Sequence, residues 1–341
     1  MRRPSSYRVR SVCVPWVAAF VLATPVSPAR AQTSQPSGVE QTTLSAAHGQ
    51  LITPQMGLDE ALQAFESGYR DSSNGISHRL DREGSKNLIK DLSVLNAKLS
   101  AASKYPQNII LSPYIHPAPL PPAKLQRLRH MLPSGLKPPE VSYQTFAVTL
   151  NGKTYVIAPG HGTRGDKRFY TPPKSDTAVR LATQEEAGYA IPLDRIPQDS
   201  FTKIVTLEGK FQTGEIVRVQ CAAVRGSEVL QTLLPDLRAS FHDWNHNVEV
   251  DYERTLIFVL PPQWLYAGRL KIRRVAGFSG APAIEKTSGG DVVAGHFIGH
   301  DTVDIDGRKM TLGVVEDYRA IRAAVESFAA LPRMELSRTK D

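Results

Sequence analysis

From Val141 to Val315 the sequence is cut into short runs of alternating apolar and polar residues bounded by turn formers, and this constrains the fold more than anything else. Phe146–Leu150, Asn151-Gly152 and Thr154–Ala158 read as a hairpin, because Asn-Gly supplies the positive φ angles of a type I′ turn. Further strands are expected over Thr177–Leu181, Lys203–Leu207, Glu215–Ala222, Val248–Val250, Thr255–Leu260, Leu270–Val275, Pro282–Glu285, Val292–Ile298, Thr302–Ile305 and Lys309–Val315. So many short strands describe an all-β domain. Helical spacing returns at Tyr318, Ile321, Val325 and Phe328, which closes the domain with a helix.

Upstream the texture is different. One-sided apolar stripes at Leu58, Leu62, Phe65 and Tyr69, and at Leu88, Leu92, Leu95 and Leu99, predict two amphipathic helices that pack on each other or on the strands. Between Pro113 and Pro139 prolines are dense, and since proline has no N–H for a ladder, a linker is expected there. The first 31 residues carry arginines at 2, 3, 8 and 10, an apolar run from Val12 to Ala23, and Ala29-Arg30-Ala31. That is the pattern of a secretory signal too short to span a membrane, so the expected location is secreted or periplasmic, with no membrane span after signal removal. The expected organisation is 1–31 signal peptide, 32–139 mostly helical N-terminal extension with a flexible leader, 140–331 all-β domain and 332–341 flexible tail. The extension is either a removable propeptide or a permanent accessory region.

With the signal go five arginines and no acid, so the formal charge falls from +8 to +3, which argues against a nucleic-acid partner. Cys13 leaves with it too, and Cys221 alone cannot form an intramolecular disulfide. Its place in the alternating run Ile216–Ala222 makes it a small buried hydrophobe. His242 and His246 have i, i+4 spacing without a carboxylate at a recognised metal-site spacing, so no metal and no cofactor are expected.

The loop Val275-Ala276-Gly277-Phe278-Ser279-Gly280-Ala281-Pro282 sets a serine between glycines. A serine hydroxyl becomes nucleophilic when a base takes its proton, and the N–H groups of Gly277 and Ser279 can serve as an oxyanion hole. His161, at the end of the second hairpin strand, is the candidate base, and Asp176, opening the strand Thr177–Leu181, is the candidate carboxylate that orients it. Asp166 and Asp194 are alternatives for that carboxylate.

These residues, in the order His, Asp, Ser, resemble the motifs of trypsin-like (chymotrypsin-fold) serine peptidases over roughly residues 140 to 330. Gly277, Ser279, Gly280 and Pro282 match the serine motif, Gly160 and His161 the histidine motif, and Asp176, Ala178 and Val179 the aspartate motif. Phe278, Ala281 and Pro159 depart from the family pattern, and the interval between His161 and Asp176 is short for it. The resemblance implies two six-stranded antiparallel barrels followed by a helix, with the triad at their seam, acting on protein or peptide substrates. It also implies that Arg273, His296 and Gly299 line the pocket for the substrate side chain, where Arg273 and His296 favour an acidic or amide group; the alternative is that Arg273 and Arg274 reach to solvent and His296 is packed. Rival readings are an inactive member of the same fold used as a binding or scaffold module, and a hydrolase of small esters.

Overall fold

In the computed structural model, which describes residues 51–70, 82–103, 110–132, 138, 140–194, 202–226, 240–243, 246–249, 251–265, 274–305 and 307–332, the later strands close on themselves. With strands numbered in chain order, β6 (Thr202–Lys210), β7 (Ile216–Arg225), β10 (Thr255–Val259), β11 (Pro282–Thr287), β12 (Gly290–Ile305) and β13 (Arg308–Asp317) form a barrel in the order β10-β13-β12-β11-β6-β7. β8 (Ser240–Asp243) and β9 (His246–Glu249) make a separate ribbon, which is where His242 and His246 lie.

Alternation sorts the barrel side chains into two layers. Leu207, Cys221, Ala223, Leu256, Phe258 and Val315 fill the interior. Burial there pushes the Cys221 thiol up, so it stays protonated and inert. The residues between them, Ala222, Val224, Ile257, Val259 and Val314, belong to a second core with Phe65 of α1 (Leu58–Arg70) and Leu88, Leu92, Leu95 and Leu99 of α2 (Arg82–Ala102). β7 and β10 are thus apolar on both faces, because the two expected helices cover the outer one.

α2 also completes the barrel seam. β7 and β10 pair only at Leu256↔Arg225 and Ile257↔Val224. Where the ladder would continue, Asn96 of α2 takes its place: its Oδ1 accepts from the Ala222 N–H at 2.6 Å and its Nδ2 donates to the Val259 carbonyl at 3.0 Å. One buried side chain satisfies two strand groups that would otherwise be orphaned.

The first sheet is a correction to the expectation of two six-stranded barrels. Among the described residues it has five strands, β1 (Ile115–Pro119), β2 (Val141–Leu150), β3 (Lys153–Pro159) and β4 (Thr177–Leu181) in that order with β5 (Ile191–Pro192) parallel to the far end of β2, and these do not close. β2 and β3 are the expected hairpin, and β4 follows β3 directly. In the short interval between His161 and Asp176, Tyr170 makes an isolated antiparallel bridge to Val179 of β4. Beneath this sheet lie Ile321, Val325 and Phe328 of the expected C-terminal helix, Tyr318–Ala329. Asp317 caps that helix by accepting from the Arg319 N–H at 2.8 Å.

The proline-dense segment is more than a linker. Ile115–Pro119 is strand β1 and pairs with β2, and Pro122–Met131 is helix α3. β1 sits at an edge, where Pro117 and Pro119 cost no ladder bond. Residues 1–50, which hold the expected signal and leader, lie outside the described residues, as do 333–341 and the first part of the strand expected over Leu270–Val275; Arg274–Gly277 form a turn.

Phe278, one of the departures from the motif that the serine loop resembles, has its ring fully inside the barrel against Phe211, Trp264 and Phe297. It thereby nails the serine loop to the core by packing. Phe278→Ala is expected to cost about 3–5 kcal/mol of stability in denaturant unfolding; a loss under about 1 kcal/mol contradicts this anchoring.

Candidate active site

His161 follows β3 in a single helical turn, Gly160–Thr163, and Asp176 immediately precedes β4. Because β3 and β4 are paired up to Pro159↔Thr177, the loop from 160 to 176 is closed at its base and its two ends face each other. The Gly160 N–H donates to the Asp176 carbonyl at 2.6 Å. The Asp176 carboxylate then grips His161 twice, accepting from its backbone N–H at 2.8 Å and lying 2.5 Å from ring Nδ1. A carboxylate partner puts the proton on Nδ1 and leaves the lone pair on Nε2.

The two substitutes for Asp176 are engaged elsewhere. Asp166 binds the Arg168 guanidinium at 2.6 Å, which is the main reason its carboxyl lies below the usual range. Asp194 pairs at 3.2 Å with the buried Lys203, which also meets Glu285 at 2.9 Å.

Ser279 is partly exposed in the turn between Phe278 and β11. Its carbonyl accepts from the Gln144 N–H of β2 at 2.7 Å, and the next residue's N–H donates to the Phe297 carbonyl at 2.6 Å. Gly280 has φ +86°, and a Cβ there would strike the Gln144 carbonyl oxygen and lie 2.7 Å from Pro159 Cδ. The serine loop therefore packs on the end of β3, two residues from the imidazole, in a conformation only glycine allows.

Peptide geometry sets the direction of the Gly277 and Ser279 amides, the candidates for an oxyanion hole, because the N–H of a trans peptide points opposite to its carbonyl. The Ala276 carbonyl accepts from Gln212 N–H, which turns the Gly277 N–H the other way. The Phe278 carbonyl accepts from the Ala281 N–H at 3.0 Å and does the same for the Ser279 N–H. Among the described residues, neither amide has an acceptor. Gly277 has φ +84°, which lets the chain hold this turn.

Gln144 is a residue that the sequence did not flag. Fully buried, it donates from Nε2 to the Lys210 carbonyl at 2.6 Å and the Gly277 carbonyl at 2.8 Å, tying the serine loop to β2 and β6. The only trace of this in the sequence is a glutamine within the apolar run of β2.

The expected pocket residues fare differently. Arg273 lies outside the described residues, while its neighbour Arg274 pairs with Glu215 at 3.3 Å. Gly299 pairs with Val314 just past a register shift in the β12–β13 ladder. His296 is not on an open wall: it is 0% exposed, and its Nε2 lies 2.8 Å from Thr177 Oγ1, next to Asp176 in sequence. That is the packed alternative for His296, held between the two sheets.

No protein-family model matches this chain, and no curated protein does. Among solved structures, the NS6 protease from murine norovirus 1 is 14% identical over 52% of this chain and 85% of its own, with a TM-score of 0.31. The serine protease domain of the Sesbania mosaic virus polyprotein is 14% identical over 53% of this chain and 85% of its own, also at a TM-score of 0.31.

Proposed function

We propose that this protein is an exported serine endopeptidase working through Ser279, His161 and Asp176. The observation that carries this reading is the double grip of the Asp176 carboxylate on the His161 N–H and ring, two residues from Pro159, against which Gly280 of the serine loop packs. Export rests on the signal-like first 31 residues.

In this mechanism Ser279 Oγ attacks the peptide carbonyl as His161 Nε2 takes the hydroxyl proton. The carbonyl electron pair moves onto oxygen, where the Gly277 and Ser279 N–H groups bind it. Collapse breaks the C–N bond, the leaving amine takes the proton from His161, and an acyl-enzyme remains on Ser279. Water, deprotonated by the same imidazole, then releases the acid product and returns the proton to Ser279. Asp176 stays ionised and balances the imidazolium charge.

Asp176→Asn is expected to lower kcat about 10⁴-fold, since an amide presents the wrong hydrogen-bonding partner to Nδ1. Steady-state kinetics check this, and a loss below about tenfold excludes Asp176 from the role. Digestion of a peptide library read by mass spectrometry tests the function as a whole. Internal cleavages by wild type and none by Ser279→Ala are expected. Ester hydrolysis without any peptide cleavage identifies the small-ester hydrolase instead.

A further inference from the structure

Three consecutive residues around the site's acid direct their donors at one carboxylate from another sheet. Glu316, 2% exposed on barrel strand β13, accepts from the Asp176 N–H on Oε1 at 3.0 Å. Its Oε2 accepts from Ser175 Oγ at 3.0 Å and from Thr177 Oγ1 at 2.5 Å. A hydroxyl has one proton, so Thr177, donating to Glu316, accepts from His296 Nε2–H at 2.8 Å. Burial alone raises the Glu316 carboxyl, but His296, whose Nε2 lies 3.6 Å from Oε2, together with the donors from Thr177 and the Asp176 N–H, outweighs it and holds Glu316 below the usual carboxylate range.

A buried charge is a poor source of stability, since apolar replacements of such groups are often no worse. What this one supplies is position. Asp176 must meet two donors on His161 at 2.8 and 2.5 Å, and a backbone shift of an ångström breaks at least one of those bonds. We propose that Glu316 is the positioning residue of the site, locking segment 175–177 of the open sheet to the barrel so that Asp176 holds His161. Thr177 and His296 fix the rotation of the network, and Glu316 itself does not touch substrate. The kinetic consequences rest on the peptidase reading; the geometric one does not.

The test combines kinetics with proton NMR of the full chain labelled with ¹⁵N-histidine. A short charge-assisted bond deshields its proton, so His161 Nδ1–H gives a far-downfield signal, assigned by its loss in His161→Ala. Glu316→Ala is expected to lower kcat about 10²-fold with KM within about twofold, and to abolish or broaden that signal. Glu316→Gln keeps one acceptor for the Asp176 N–H, so kcat falls only several-fold and the signal shifts but survives. Val325→Ala, a cavity in the C-terminal helix contact, lowers Tm and leaves both kcat and the signal unchanged.

A folded Glu316→Ala with unchanged signal and kcat overturns the proposal, as does an equal loss of kcat in Val325→Ala. Should Glu316→Ala not fold, Glu316→Gln decides, and an unmoved signal with wild-type kcat refutes it. If wild type cleaves nothing while the signal still depends on Glu316, the peptidase reading has failed and the positioning role stands.

Discussion

Ser279→Ala is expected to lower kcat for peptide cleavage by about 10⁵- to 10⁶-fold while Tm stays within a degree or two of wild type. The size of the kinetic effect follows from the loss of the covalent route: no oxygen remains for the imidazole to activate. What persists is the modest acceleration from the oriented amides and from substrate binding. Stability is spared because Ser279 is partly exposed and no described bond holds its hydroxyl; the loop is fixed by its own carbonyl, by Gly280 and by the Phe278 ring. A retained tenth of the activity shows that another residue is the nucleophile. Equal activity loss and unfolding shows that the serine is a structural part of the loop.

The second large effect concerns the N-terminal helices. Removing residues 1–103 is expected to give a chain without a cooperative unfolding transition. The truncation bares Val224, Ile257, Val259, Ile298, Leu312 and Val314. At about 1.5–3 kcal/mol for each buried side chain, the loss is on the order of 10 kcal/mol, comparable with the whole stability of a domain at about 5–15 kcal/mol. It also orphans the Ala222 N–H and the Val259 carbonyl, which Asn96 satisfies. Asn96→Leu in the full chain isolates that part and costs about 2–4 kcal/mol for two unpaired buried groups. Circular dichroism and thermal melting of the 104–341 chain provide the check. A soluble truncated form that melts cooperatively near wild type contradicts this and favours the removable propeptide over the permanent accessory region.

Much of the fold could be read locally. Asn151 and Gly152 do have positive φ, 51° and 74°, and the helix stripe from Tyr318 to Phe328 is the buried one. Turn chemistry and period are short-range signals, carried by the residues that obey them. The same holds for His161 and Asp176, placed at strand ends that proved to be neighbours in a ladder.

What escaped depended on partners far along the chain. Pro117 and Pro119 mark a strand that a rule against proline in central sheets excludes, and only the position of β1 at an edge makes it permissible. Whether the first sheet closes depends on strand count and pairing, and alternation within each strand is silent on both. For His296 the sequence left a pocket position and a packed one both open. Its place soon after the serine matched the family strand, yet its side chain turns inward to Thr177 and Glu316, a pairing set by β12–β13 register. Glu316 and Gln144 look like stray polar residues within apolar strands, and their meaning lies in the segments they bind.

The central claim is that His161 and Asp176 activate Ser279. Treating the folded protein with a fluorophosphonate and mapping the adduct by mass spectrometry tests it most directly. A single adduct on Ser279, formed by wild type and lost both in His161→Ala and after unfolding in denaturant, is the predicted result. A folded wild type with no adduct on Ser279, or one that forms as fast without the imidazole at 161, contradicts it.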